Sequence, residues 1–406
     1  MPLPDRQSDR LYDHRLEPEE VRAIRAEVRA FADEHVAPKA YAIGQTPESK
    51  DAFPWELFTK MGKAGMFRIP FGSTVGGRGL KHRVTACVAA LEELAYHSNS
   101  VAAIYDVHCI LAGRTLEAAS PELQEKYLKP LLAGEVVGAF ATSEPGTSSD
   151  LTPRAMATEV FEDGDELIVT GRKRWITNSP VAKFVTALCR AGDSTAMVLI
   201  DLDAPGVTVG DPDKKLGNHG QLTADITFDE VRVPKTHVIS GLGQGLRRAL
   251  ATLTYGRIGI GATGVGMAQR IFDECTRHLM HRKMFGQYMG QMQHWQFRMA
   301  ERATQIENGR NLYLKAALKM DEGQEFPEPE AAMCKFYATD VAAGFAREGI
   351  QVFGGYGFTK ELAADGSHYK VEEIYRDVKI TEIYEGANEI QKYLVAREIF
   401  GRNFAG

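Results

Sequence analysis

RDVKITEIYEGANEIQ, residues 376–391, sets a single acid at a junction. Ile390, Leu394 and Val395 recur at helical spacing, so a helix is expected from Ala387 to Arg397. Glu385 and Gly386 then fall just before that helix. Asn388 and Glu389 fall in its first turn, where side-chain acceptors suit the free backbone amides. A carboxylate on a short turn between two ordered elements is held by both, which is how a general base is best mounted. The helix dipole alone also favours an acid at that place, so Glu385 needs corroboration from elsewhere in the chain.

Outward from this turn, amphipathic segments at about 244–283, 290–320, 328–353 and 386–403 predict a four-helix bundle. Leu246, Leu250, Leu253 and Ile260 share a face in the first of them. Upstream, from Val136 to about Pro234, the apolar period shortens toward two in ELIVTG, FVTALCR, AMVLIDL and ADITFDEVRVP. These runs predict a compact β domain, a small barrel of antiparallel strands. Before it the chain reads as helices. Leu16, Val21, Ile24, Val28 and Phe31 form a stripe, an apolar helix covers 81–97, and another covers about 99–118. The expected fold is mainly α with a central β domain. Its units are an N-terminal helical domain (1–135), a β-barrel domain (136–240) and a C-terminal four-helix bundle (241–406).

The 406 residues are 44% apolar and 25% charged, with a formal net charge of −6. Acids and bases are mixed, which argues against a nucleic-acid surface or a polybasic membrane patch. No apolar run is long enough to span a bilayer. MPLPDRQSDRLYDH has no apolar core and carries three Asp, unlike a secretory or transit leader. Cys87, Cys109, Cys189, Cys275 and Cys334 are scattered singly, with no CxxC pair. Reduced thiols in a cytoplasmic protein are expected.

Two further stretches join the Glu385 turn: FATSEPGTSSD at 140–150 and RKRWITN at 172–178. With IYEGANEIQ they resemble the acyl-CoA dehydrogenase family of flavoenzymes, and the resemblance runs over nearly the whole chain. It implies FAD as cofactor, an acyl-CoA substrate, electron-transferring flavoprotein as acceptor and a homotetramer. It implies that Glu385 is the base, and that its backbone N–H and a flavin ribityl hydroxyl polarise the thioester carbonyl. It places Ser143 against the isoalloxazine, Trp175 over the ring and the Thr177 hydroxyl near the reactive flavin nitrogen. Arg282 and Phe285 in RKMFGQ, Gln293, and Gln351 and Gly355 in QVFGGYGF match segments that hold the adenosine half of FAD, partly from a neighbouring subunit. Asn388 is assigned to the cofactor. Ser149, Thr254, Arg257, Tyr384 and Gly386 are assigned to the substrate. Some relatives carry the base just before the bundle Arg, where this chain has Gly256, so Glu385 alone is left. On residue chemistry, Trp175 and Thr177 are expected on opposite strand faces, and Arg282 offers a bidentate fork suited to pyrophosphate.

Two departures from the family pattern stand out: Ser148 where Gly is usual, and extra residues near 360–370, read as a surface loop. Tyr105, Asp106 and His108 on the helix that floors the acyl pocket by resemblance favour a short, branched or cyclic acyl group over a long chain. GIGATG at 259–264 matches GxGxxG but lies inside a helical run, so close helix approach explains it better than a nicotinamide site. Glu274, His278 and His281 lack the matching Glu-x-x-His of a bundle iron site, so solvated histidines and no metal are expected. Ser148–Ser149 lacks a nucleophile elbow. The rival readings are an acyl-CoA oxidase using oxygen, a flavin-dependent monooxygenase on the same scaffold, and a non-catalytic helical scaffold. A monooxygenase has no use for a base at Glu385.

Overall fold

The computed structural model describes residues 3–12 and 14–405. Its principal helices are α1 (Glu19–Phe31), α2 (Trp55–Lys63), α3 (Arg83–His97), α4 (Asn99–Asp106), α5 (Gly245–His281), α6 (Gln293–Asp321), α7 (Glu328–Phe353), α8 (Lys370–Val378) and α9 (Asn388–Phe400). Short helical turns join them. The four expected bundle segments are α5, α6, α7 and α9; α8 was not anticipated. Leu16, expected in the α1 stripe, is exposed, because it precedes the helix and lies off its buried face.

Between α4 and α5 lies one sheet of eight strands: β1 (Gly138–Ala141), β2 (Glu159–Asp163), β3 (Glu166–Thr177), β4 (Phe184–Ala191), β5 (Ser194–Asp201), β6 (Val207–Val209), β7 (Thr223–Pro234) and β8 (Val238–Ile239). The order is β6-β7-β3-β2-β4-β5-β8, with β1 beside β4. Most pairs are antiparallel as expected, but β1–β4 and β2–β4 run parallel. The hydrogen-bonded path has β6 and β8 at its ends, so the pairing does not close on itself as a strict barrel would.

Alternation along the strands buries Val160, Leu167, Val169, Val185, Ala187, Val198, Ile226 and Val231 in a core belonging to the sheet alone. The helices before and after the sheet share a second, continuous core. Its axis is α3, which is buried almost all round and packs against both α1 and α5. Two acids on α3 survive burial because arginines meet them. Glu92 accepts from Arg310 at 2.7 Å, and Glu93 accepts from Arg25 at 3.0 Å and Arg6 at 2.5 Å.

The glycine run in α5 serves packing. A Cβ on Gly261 would lie 3.1 Å from Cys334 of α7, and one on Gly264 3.0 Å from Ala338. On Gly266 it would lie 2.3 Å from the Glu92 carbonyl oxygen of α3. The residues near 360–370 form a surface loop that folds onto the N-terminal segment. Tyr41 stacks on His368 at 3.6 Å and donates to Glu361 at 2.7 Å. Among the described residues, no helix is long and apolar enough to cross a membrane.

Candidate active site

The chain reaches Glu385 through a tight turn after α8, closed by the Tyr384 N–H donating to the Ile380 carbonyl at 3.0 Å. Glu385 (φ 53°) and Gly386 (φ 93°) are both left-handed. That conformation is ordinary for Gly and strained for Glu, and such strain gathers at functional positions. Gly386 is also required sterically. A Cβ there would lie 2.6 Å from the Gln391 amide nitrogen, which donates to the Gly386 carbonyl at 2.9 Å. The chain then enters α9 at Asn388.

This geometry turns the Glu385 side chain onto α5. An ideal Cβ on Gly256 would sit 1.9 Å from Glu385 Oε2, so the carboxyl occupies the space a side chain at 256 would need. Leu111 borders the same space, and Oε2 is buried with no partner among the described residues. One turn along α5, a Cβ on Gly259 would lie 2.6 Å from Asp106 Oδ1. Asp106 ends α4, where the helix widens into a π-helical stretch over Val107–Gly113, and its carboxyl faces Glu385 closely enough for each to shift the other's proton affinity. Burial pushes the Glu385 carboxyl up; Asp106, Lys335 and Arg257 oppose that rise. Burial pushes Asp106 well up, and the neighbouring Glu385 pushes it further.

Cations approach from two helices. Arg257 on α5 is buried, and its Nε and Nη1 have no hydrogen-bond partner among the described residues, so it is not the helix ion pair that ordinary packing would make of it. Lys335 on α7 is fully buried, donates to Asn388 Oδ1 at 2.8 Å, and is pulled down to about 7 by burial. The Asn388 amide also donates to Thr339 at 2.9 Å and Asp340 at 2.8 Å, so this side chain, expected at the cofactor, is engaged by three protein partners. Thr254, expected at the substrate, is buried and donates to the Leu250 carbonyl of its own helix at 2.8 Å. Tyr105 and His108, on the helix expected to floor the acyl pocket, donate to the Met66 and Leu131 carbonyls, each at 3.0 Å. Of that trio only Asp106 reaches Glu385.

The β domain presents the second group of residues. Ser143 accepts the Arg174 N–H at 2.9 Å, which ties the TSEPG loop to β3. The next residue anchors it further. The buried Glu144 carboxylate accepts from Lys173 at 2.8 Å and from the Ala157 and Thr158 amides at 2.6 and 3.0 Å. Residues two apart share a face on a regular strand, so the expectation of opposite faces for Trp175 and Thr177 miscounted the period. Here β3 is irregular between Lys173 and Ile176. Trp175 has φ 58° and an indole left 56% exposed, while the Thr177 hydroxyl accepts from Gln221 at 2.8 Å. Ser148 and Ser149 are exposed on the loop.

The third group sits at the bundle's ends and is exposed: Arg282 after α5, Phe285, Gln293 opening α6, and Gln351 and Gly355 around the end of α7. Arg282 lies over the Tyr356 ring at 6.0 Å, which brings RKMFGQ and QVFGGYGF together. The metal pattern dissolves. Glu274 is buried against Arg270 and Arg277, and only His281 is solvated; His278 stacks on Phe353 at 4.2 Å, and burial pulls it down to about 4. Among the described residues no cluster could hold a metal.

An exposed indole beside a tethered serine loop, a half-buried strand hydroxyl and a buried guanidinium with unpaired nitrogens suit a planar, polar-edged cofactor and an anionic or carbonyl ligand. Such a set, with an acid held inward against a bundle helix, is what a flavin-dependent oxidoreductase would need.

Three family models match in succession: Acyl-CoA dehydrogenase, N-terminal domain (residues 18–135), middle domain (139–231) and C-terminal domain (243–400). The chain belongs to the acyl-CoA dehydrogenase family, whose members depend on FAD and act on CH–CH bonds. It is 34% identical to cyclohexane-1-carbonyl-CoA dehydrogenase of Geobacter metallireducens, over 94% of this chain and 97% of that one. It is 33% identical to a caffeyl-CoA reductase–Etf complex subunit of Acetobacterium woodii, over 93% and 97%. It also resembles a glutaryl-coenzyme A dehydrogenase solved with glutaryl-CoA, at TM-score 0.89 and 27% identity, over 95% and 96% of the two chains.

The sequence alone did not reveal the Asp106–Glu385 contact, Lys335 or the Glu144–Lys173 anchor. A faint signal existed for each lysine. Lys335 is a lone charge inside the apolar run AAMCKFYA, whereas Lys173 stands between two arginines in RKRWIT, at the inward position of an alternating strand.

Proposed function

We propose that the protein removes hydrogens from Cα and Cβ of an acyl-CoA thioester, with Glu385 taking the α-proton. FAD, when bound, supplies the acceptor for the β-hydrogen as hydride. The observation that carries this reading is the Glu385 carboxyl held inward against Gly256 by a strained backbone. Its raised proton affinity suits a group that must take a proton from a weak carbon acid. Trp175, Ser143 and Thr177 would orient the cofactor's redox end. Arg282, Phe285, Gln293, Gln351 and Gly355 would hold its adenosine half. Arg257, Tyr384, Gly386, Ser149 and Thr254 would line the substrate's path, Thr254 through its methyl, since its hydroxyl is engaged. Asn388 would act from behind, holding the turn through Lys335.

The acyl group is short, branched or cyclic. Asp106, buried beside Glu385, sets a carboxyl where a long alkyl chain would need an apolar wall. The relative named for a cyclohexane-1-carbonyl thioester agrees with that class. Electron-transferring flavoprotein is the acceptor, a reading supported by the Etf-complex relative. The exposed Phe285 and Phe358, 92% and 81% accessible, are suited to cover by further copies in a homotetramer.

The test is anaerobic bleaching of the purified yellow protein by a panel of acyl-CoAs. Wild type should bleach with short or cyclic substrates, and Glu385→Gln should lose about 10²–10⁴ in rate while retaining FAD. A Glu385→Gln enzyme that bleaches at the wild-type rate would remove Glu385 from the reaction. Peroxide formed during turnover in air would replace the flavoprotein acceptor with oxygen.

A further inference from the structure

Glu385 is not alone where it rests against α5. Asp106 arrives from α4, an element with no covalent closeness to the Glu385 turn, and the two carboxyls lie side by side against α5. Two glycines one turn apart on α5 make the meeting possible. Gly256 leaves room for Glu385 Oε2 and Gly259 for Asp106 Oδ1. The walls around them are Leu111 at Gly256 and Leu91 and Ile110 at Gly259. Neither Asp106 oxygen has a donor among the described residues, and Glu385 Oε2 has none. Two neighbouring carboxyls whose buried oxygens meet no other donor cannot both be ionised; one must keep a proton and can hydrogen-bond to the other through it.

The surroundings decide which one. The facing cations, Lys335 from α7 and Arg257 from α5, act on Glu385. Tyr384 of the turn and the buried thiols of Cys109 and Cys87 are the other titratable groups near Asp106, and all three stay neutral. The negative charge therefore settles on Glu385 and the proton on Asp106.

We propose that Asp106 is a positioning residue for the base: it keeps the pair's single proton and donates it to Glu385, holding that carboxylate ionised and aimed. The inference rests on Glu385 being the base. Abstraction of the α-proton brings the pair to two protons, and release of one restores it. The π-helical widening immediately after Asp106 supports the assignment, since such turns re-aim side chains at functional sites.

Asp106→Leu keeps the shape and removes the donor; Asp106→Asn keeps a donor and removes the titration. A hydrogen bond to a charged group contributes about 1.5–3 kcal/mol, so its loss corresponds to a shift of about 1–2 pH units. In Asp106→Leu holoenzyme the acid limb of the bleaching rate should move up by that amount. In Asp106→Asn it should stay within about 0.5 unit. Infrared spectra of substrate-free holoenzyme should show a protonated-carboxyl C=O band in wild type that vanishes in Asp106→Asn.

An unmoved acid limb in Asp106→Leu, an equal shift in both variants, or a band that persists in Asp106→Asn would each overturn the proposal. If Asp106→Leu fails to retain FAD, the Asn profile and the infrared band decide. Wild-type protein that no acyl-CoA bleaches refutes the dehydrogenase reading instead. Wild type that bleaches with unchanged variant behaviour refutes only the role of Asp106.

Discussion

At the scale of single residues, the site depends as much on what is absent as on what is present. Gly256 has no side chain, and the Glu385 carboxyl fills its place. Gly256→Ala should therefore separate stability from activity. Ala is favoured over Gly inside a helix by about 1 kcal/mol, so the melting temperature should hold or rise. The flexible end of Glu385 must move, and a displacement near 1 Å at a reacting group reduces rate by about 10²-fold. Stopped-flow bleaching beside thermal unfolding reads both effects. A variant that loses stability and keeps its rate would show that Glu385 does not rest against this helix. The Glu385–Gly386 pair makes the same point in the backbone: two left-handed residues, strained only at Glu385, aim the acid inward before α9 begins.

At the scale of elements, buried charges act as fasteners. Lys173 on β3 and Glu144 in the TSEPG loop are both nearly inaccessible, and the carboxylate also takes two backbone amides. Removing one partner leaves the other charged and unpaired, which costs about 3–5 kcal/mol. Lys173→Met is expected to be destabilised by that amount in urea titration and to hold flavin poorly, because the loop carrying Ser143 loses its anchor. Lys173→Met combined with Glu144→Gln should recover much of the loss. Equal destabilisation of single and double variants would argue that the pair does not hold the loop. The bundle uses the opposite device. Gly261, Gly264 and Gly266 bring α5 against α7 and α3 closely enough that side chains there would collide with backbone.

At the scale of the whole molecule, burial sets the response to acid. His108 lies in the shared helical core. It donates to the Leu131 carbonyl and accepts the Gly138 N–H, and burial holds it down to about 3. An unfolded chain protonates this ring below about 6.5, so the unfolded state binds the extra proton. Stability from this group is present above 6.5 and is lost as pH falls toward 3, at about 1.4 kcal/mol per pH unit. His97, held to about 4, acts in the same direction. Asp273 and Asp377, raised to about 6, act oppositely, since the folded state keeps their protons longer. The contribution of His108 is isolated by comparison with His108→Gln. The difference in unfolding free energy should change between pH 6 and 4 with a slope near one proton. Parallel curves would mean that His108 is charged in the folded state.

Much of this was legible in the chain itself. The period-3.6 stripes of 244–283, 290–320, 328–353 and 386–403 and the period-2 runs of 166–234 are local patterns, and local patterns determine element type because each face must find a core. The turn around Glu385 was legible for the same reason: Gly386 and the helix start at Asn388 are near neighbours in sequence. Other features depended on where distant segments meet. No pattern announced that the first and last thirds share one core around α3, that β4 has parallel neighbours, or that Asn388 is held by Lys335. Tyr105, Asp106 and His108 look alike as polar intrusions in an apolar helix, yet two of them bond to backbone carbonyls and one meets Glu385 across 279 positions (385 − 106). Local propensity and periodicity thus specified the elements and where the acid is mounted. Only packing chose its companions, because contact with Asp106, Lys335 and Gly256 requires three separate helices to be brought together.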